Sequence, residues 1–167
     1  MNDLIKTKKL KPPNRLTTVT NIQLTKLCKQ LNIPIQKVMM KDEYNYNEPD
    51  GNYIINLQNH NQNGTHWCAY TKYQSIIYYH DSFGMPPPQN EMDIFEKESD
   101  NIYINTFDKQ DINASSCGYW CIAFLYYMSH HKGSYLQKFK QFNKMFNNKD
   151  PRENEKKLKT YIDSLFK

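Results

Sequence analysis

Apolar residues recur along this chain with two different periods, and the switches between them mark out its elements. Leu24, Leu27, Cys28 and Leu31 fall at helical spacing, and Thr20 forms a capping box with Gln23, so residues 20–31 are predicted as an amphipathic helix. Residues 32–50 contain Pro34, Pro49 and an Asp50-Gly51 turn and read as irregular. Strands are expected at 53–57, 65–72 and 75–80, the last two joined by a tight hairpin around Tyr73-Gln74. The turn formers at 59–64 make a loop between the first two, and Pro86-Pro87-Pro88 ends this sheet segment. Residues 89–98 read as an acidic helix with Met92 and Phe95 inward, and 102–107 alternate as a strand. The dense apolar run from Gly118 to Met128 predicts a buried helix over 117–130. Helices at 135–146 and 151–166 complete the chain; Pro151 suits a first turn, and Leu158, Tyr161, Ile162 and Leu165 form a stripe. Residues 1–19 read as an extended basic arm, because Pro12-Pro13 forbids a continuing helix. The order of elements is that of an α+β fold, and 167 residues suit a single domain, 1–167.

Composition narrows the setting. No apolar run approaches the roughly 20 residues of a membrane span. The N-terminal lysines are not followed by an apolar segment, so no secretory signal is expected. Cys28, Cys68, Cys117 and Cys121 are scattered rather than framework-spaced, which suits free thiols in a reducing compartment. The net charge of +5 is unevenly distributed, with residues 1–20 and 131–167 basic and the middle acidic. Basic ends can dock on a polyanion such as DNA, or they can simply solubilise terminal helices; the sequence leaves both open.

The chemistry centres on residues 110–121, where small polar turn formers give way to the buried helix. Cys117 stands at that junction, where free N–H groups and the helix dipole favour a thiolate, so it is the candidate nucleophile. Such a nucleophile needs a base, an orienting group and oxyanion donors. His66, followed by Trp67, is the candidate base. In a hairpin turning near Gln74, Asp81 falls opposite residues 66–68, within reach of the imidazole. Gln110 enters the helix loop with an amide that can donate to an oxyanion beside the Cys117 N–H, and Gly118 permits close backbone approach. Cys121, one turn after Cys117, reads as core. A metal set of Cys117, Cys121, His66 and Cys68 is disfavoured, because a helical C-x-x-x-C lacks the usual knuckle spacing.

The run Gln110-x-x-Asn113-x-x-x-Cys117-Gly118-x-x-Cys121, with Gly64-x-His66-Trp67 and with Phe83-Gly84 after Asp81, resembles the adenain-like maturation proteases of adenoviruses. It also resembles the wider clan of Ulp-type proteases. The order His, Asp, Gln, Cys separates it from papain-type enzymes, and the likeness covers roughly residues 53–128. The resemblance implies a central mixed β-sheet flanked by helices and a triad of Cys117, His66 and Asp81. It also implies a Gln110 oxyanion donor and a substrate channel lined by Trp67 and Gly118 that favours Gly-Gly or Gly-x-Gly sequences. No cysteine lies between Cys68 and Cys117, so a disulfide-held activating peptide is not expected.

The expected function is that of a cysteine endopeptidase cleaving viral capsid precursors at Gly-rich sites during virion maturation. It would act as a monomer without a cofactor, in the virion and the infected-cell interior, with DNA or a peptide as candidate activators. The alternatives are a Ulp-type protease acting on ubiquitin-like modifiers and, in a different class, an inactive DNA-binding virion scaffold component.

Overall fold

A computed structural model describes residues 11–44, 47–58 and 66–166. The first ten residues of the basic arm and the 59–64 loop, including Gly64, lie outside the described residues.

Among the described residues, five strands form one mixed sheet in sequence order: β1 (Lys37–Met40), β2 (Gly51–Asn56), β3 (Trp67–Tyr73), β4 (Ile76–His80) and β5 (Asn101–Ile104). The two outer pairs are parallel and the two inner pairs antiparallel. The helices are α1 (Asn21–Gln30), α2 (Gln89–Glu98), α3 (Cys117–His130), α4 (Tyr135–Met145) and α5 (Pro151–Leu165). The architecture is therefore α+β, as the pattern of elements predicted. Among the described residues, no helix is long and apolar enough to cross a membrane.

Side-chain alternation divides the core in two. Ile54, Ala69 and Tyr78 face α1, α3, α4 and α5, whereas Tyr53, Ile55, Cys68, Tyr70, Ile77 and Tyr79 face Phe95 of α2. Strands buried on both faces cannot slip by one residue without exchanging the two sets, so the register is strongly specified. Helix α3 is the central beam of the first layer: eleven of its fourteen residues are buried, which explains why its sequence is apolar all round.

Local chemistry accounts for most of the boundaries. Thr20 caps α1 in a reciprocal box: its hydroxyl accepts the Gln23 N–H at 3.2 Å and its own N–H reaches Gln23 Oε1 at 2.8 Å. Ser134 and Asp150 cap α4 and α5, and Pro151 occupies the first turn of α5. The β3–β4 hairpin turns through Gln74 and Ser75, both at positive φ, in the mirror-image turn that matches strand twist.

Two expected elements need correction. Residues 32–50 are not wholly irregular, because β1 lies within them and pairs with β2 from Lys37↔Tyr53 to Met40↔Asn56. It has four residues and only Met39 is buried, too little alternation to register as a strand. The strand expected at 102–107 runs instead from Asn101 to Ile104. It stops because the Asn105 side chain takes over its pairing: Oδ1 accepts the Asp81 N–H at 2.9 Å and Nδ2 donates to the Asp81 carbonyl at 2.6 Å.

The basic C-terminal helices are also less uniformly exposed than their composition implies. Lys138 is buried, donating to the Met128 carbonyl at the end of α3. There it neutralises the negative end of the helix dipole instead of facing solvent.

Candidate active site

The hairpin register sets the first half of the site. Ala69 pairs with His80, so continuing the ladder brings Asp81 opposite Cys68, with His66 one diagonal step away. Across that diagonal His66 Nε2 meets Asp81 Oδ1 at 2.8 Å. The same oxygen accepts the Phe83 N–H at 2.8 Å, and the Asn105 side chain grips the Asp81 backbone from both sides. Asp81 is thus fixed in position before it acts on anything else. With Nε2 committed to Asp81, Nδ1 is the ring nitrogen left for other partners.

Burial disfavours a charged imidazole, but hydrogen bonding from Asp81, Cys117 and Cys68 outweighs it and pushes the His66 pKa up to about 12. The His66 ring also lies 5.0 Å from the Phe83 ring. His80, next to Asp81 in sequence, is excluded from this chemistry. It is fully buried on the other side of the strand among Phe124, Phe142 and Trp120, and burial holds its pKa well below the usual value.

The second half comes from the loop that enters α3. Cys117 is the first residue of that helix, and its first turn contains no acidic side chain. Ser116 precedes it but does not cap the helix; its hydroxyl donates instead to Glu155 of α5 at 2.8 and 2.9 Å. The first N–H groups of α3 are therefore left without a side-chain cap beside the Cys117 thiol.

Gln110 is 2% exposed, and its amide orientation is determined by its neighbours. Oε1 accepts the Ser82 hydroxyl at 2.6 Å, and Nε2 donates one hydrogen to the Ala114 carbonyl at 2.8 Å. An amide nitrogen has two hydrogens, so one remains for a ligand.

These two halves share a cleft of about 210 Å³ lined by Thr18, His66, Trp67, Phe83, Gln110 and Cys117 among others. Ile112 stands on its rim 85% exposed, an apolar side chain with nothing covering it. Trp67 is nearly buried, and its indole N–H donates to the Val19 carbonyl at 3.0 Å, which ties the described end of the arm to the cleft wall. The close approach at Gly118 is made by this same segment. A Cβ there would collide with Val19 Cγ2 and come within 3.3 Å of Leu24 Cδ2. Cys121 lies in the core beneath α3, where burial raises its thiol pKa well above the usual value.

Several supporting residues carry no sequence signal of their own. Lys109 is fully buried and donates to the Asn143 and Phe146 carbonyls at the end of α4, at 3.2 Å each. Its burial lowers its pKa to about 8. The Lys109 and Gln110 N–H groups both donate to the Ser82 carbonyl, at 2.8 and 3.0 Å. Glu155 binds Ser116, the Trp120 indole N–H at 3.2 Å and the Asp111 N–H at 3.4 Å; its burial raises its pKa, partly offset by these donors. The Gln110 loop is thus held from the turn after β4, from α4 and from α5 at once. These contacts span 27 to 44 positions in sequence, so only the folded chain reveals them.

Of the metal set weighed from sequence, neither Cys117 nor Cys121 joins the ligand atoms that converge. Among the described residues, those belong to His66, Cys68 and Asp81.

No protein-family model and no curated protein matches this chain.

Proposed function

We propose that the chain is a cysteine endopeptidase of the adenain-like and Ulp-type clan, cleaving viral capsid precursors at Gly-rich sites during virion maturation. The observation that carries this reading is the shared cleft, where Cys117, the Asp81-bonded His66 and the spare Gln110 N–H line one space. In this reading Cys117 and His66 act as a thiolate–imidazolium pair, in keeping with the raised His66 pKa, and Asp81 orients the ring and stabilises its charge. The thiolate attacks the scissile carbonyl. The oxyanion is bound by the remaining Gln110 N–H and the uncapped N–H groups of α3. His66 gives its proton to the leaving amine, and water then releases the acyl-enzyme.

The small cleft and the walling Trp67 support glycine beside the cleaved bond. The exposed Ile112 supports a peptide ligand with an apolar residue further along. The capsid assignment rests on the motif resemblance and is tested separately. Incubation with precursor proteins from the same genome, followed by N-terminal sequencing of the products, should give cuts after Gly-rich stretches. Cys117→Ala and His66→Ala should abolish every cut; turnover in either variant would rule out the mechanism.

A further inference from the structure

One group beside the cleft has no part in the peptidase chemistry. Cys68 is fully buried on β3, yet its thiol acts on the His66 imidazole, and burial pushes its own pKa up to about 11. A His66 ring nitrogen, the Cys68 sulfur and an Asp81 carboxylate oxygen all lie within 4.8 Å of one another.

We propose that His66, Cys68 and Asp81 form a binding site for a single Zn²⁺-type divalent cation, which holds the proposed peptidase in a latent state. One nitrogen, one sulfur and one carboxylate oxygen are a zinc donor set, whereas Mg²⁺ and Ca²⁺ require oxygen ligands. Ligand atoms around tetrahedral zinc are separated by about 3.5 Å, so the three groups need to close by only about 1 Å. The surroundings are already ordered: the Phe83 N–H holds the carboxylate and Asn105 clamps its backbone, the outer-shell support that metal ligands require. An entry path exists, because the His66 side chain is 16% exposed and lines the cleft. On binding, a Cys68 S–metal bond forms, and both the thiol proton and the Nε2 proton of the His66 imidazolium pass to solvent. The His66–Asp81 hydrogen bond is exchanged for two bonds to the ion. Water supplies the fourth ligand. The metal site stands independently of the peptidase reading; only the latency rests on that reading.

The test uses the full reduced chain titrated with Co²⁺ under anaerobic conditions. A thiolate-to-cobalt band in the near ultraviolet should saturate at one equivalent and be displaced by Zn²⁺. Cys117→Ser should retain the band, because Cys68 remains. Cys68→Ser and His66→Ala should each weaken binding at least about tenfold. If Cys68→Ser fails to fold by circular dichroism, the partly exposed His66→Ala decides. Absence of the band in the wild type, its retention at wild-type affinity in His66→Ala, or its loss in Cys117→Ser alone would overturn the proposal. With a Gly-rich peptide, Zn²⁺ should block turnover and a chelator restore it. A cobalt band without any turnover would remove the peptidase reading alone, whereas turnover without a band would remove this one.

Discussion

The Ser82 hydroxyl donates to Gln110 Oε1 at 2.6 Å, and together with the Ala114 carbonyl, which accepts from Nε2 at 2.8 Å, it sets which way the Gln110 amide faces. Losing the Ser82 bond loosens the amide, whose oxygen is an acceptor where a developing oxyanion needs a donor. Gln110→Ala should lower kcat by about 10²- to 10³-fold with little change in KM, the cost of one oxyanion donor. Ser82→Ala should lower kcat less, by about tenfold. It should also cost about 1–3 kcal/mol of stability, because it leaves a buried amide oxygen unpaired. Steady-state kinetics on a Gly-rich peptide together with denaturant titration checks both. Unchanged kcat in Ser82→Ala would remove the orienting role.

Ile112 should act on binding alone. It sits on the cleft rim, 85% exposed, and has no assigned part in bond breaking. Covering such a side chain with substrate is worth roughly 1–2 kcal/mol. Ile112→Ser should therefore raise KM by about 5- to 30-fold and leave kcat intact, the signature of lost uniform binding. Product analysis with peptides differing at a single apolar position would identify the residue that it contacts.

The unequal legibility of this site has a physical basis. The capping box at Thr20, the Gln74 turn and the apolar run of α3 are local signals, and local chemistry produces them in the fold. The juxtaposition of His66 and Asp81 was also readable, because an antiparallel hairpin fixes a constant register sum. The real ladder places Asp81 opposite Cys68, at one end of the expected 66–68 window. What could not be read is the set of contacts made between distant segments by side chains with no periodicity. Asn105 looked like the continuation of a strand, but it ends β5 by pairing with Asp81 through its side chain. Lys109 has no pattern around it that marks it as core, yet it is buried against the end of α4. Strand β1 was missed because four residues with one buried position carry almost no pattern.

Lys109 leads to a pH prediction whose sign follows from its burial. In the unfolded chain its pKa is near 10.5, and in the fold it is lowered to about 8. Below pH 8 the lysine is charged in both states, and the fold bears the full cost of burying that charge. Between pH 8 and 10.5 the folded protein has released the proton and the unfolded chain has not, so this group makes stability rise with pH. The gain approaches about 3 kcal/mol by pH 10.5. Thiols and phenols with raised pKa values act in the opposite sense over the same range, so the useful quantity is a difference. The stability of the wild type minus that of Lys109→Met should grow by up to about 3 kcal/mol between pH 7.5 and 10.5 in urea titrations. A flat difference would mean that the folded lysine is not depressed.

Gly118 and Val19 offer a test of why a glycine follows the nucleophile. Gly118 is the second residue of α3, where alanine would lose less backbone entropy on folding than glycine, so the substitution would stabilise the helix if space allowed. Space does not allow it, because a Cβ would run into Val19 Cγ2 on the segment whose carbonyl also holds the Trp67 indole. Gly118→Ala alone should therefore destabilise by about 1–3 kcal/mol through overpacking. It should also disturb the cleft, because moving Val19 moves Trp67 with it. In a Val19→Ala background the obstructing methyl is gone. Of the remaining neighbours, Trp67 Cδ1 at 3.6 Å is at ordinary contact distance, and the Leu24 Cδ2 tip at 3.3 Å has to give by only a few tenths of an ångström. There Gly118→Ala should be neutral or stabilising by up to about 1 kcal/mol. A double-mutant cycle in urea should thus give a coupling energy of at least about 1 kcal/mol in favour of the double variant. Additive effects would mean that the glycine serves the approach of a ligand rather than the approach of the arm.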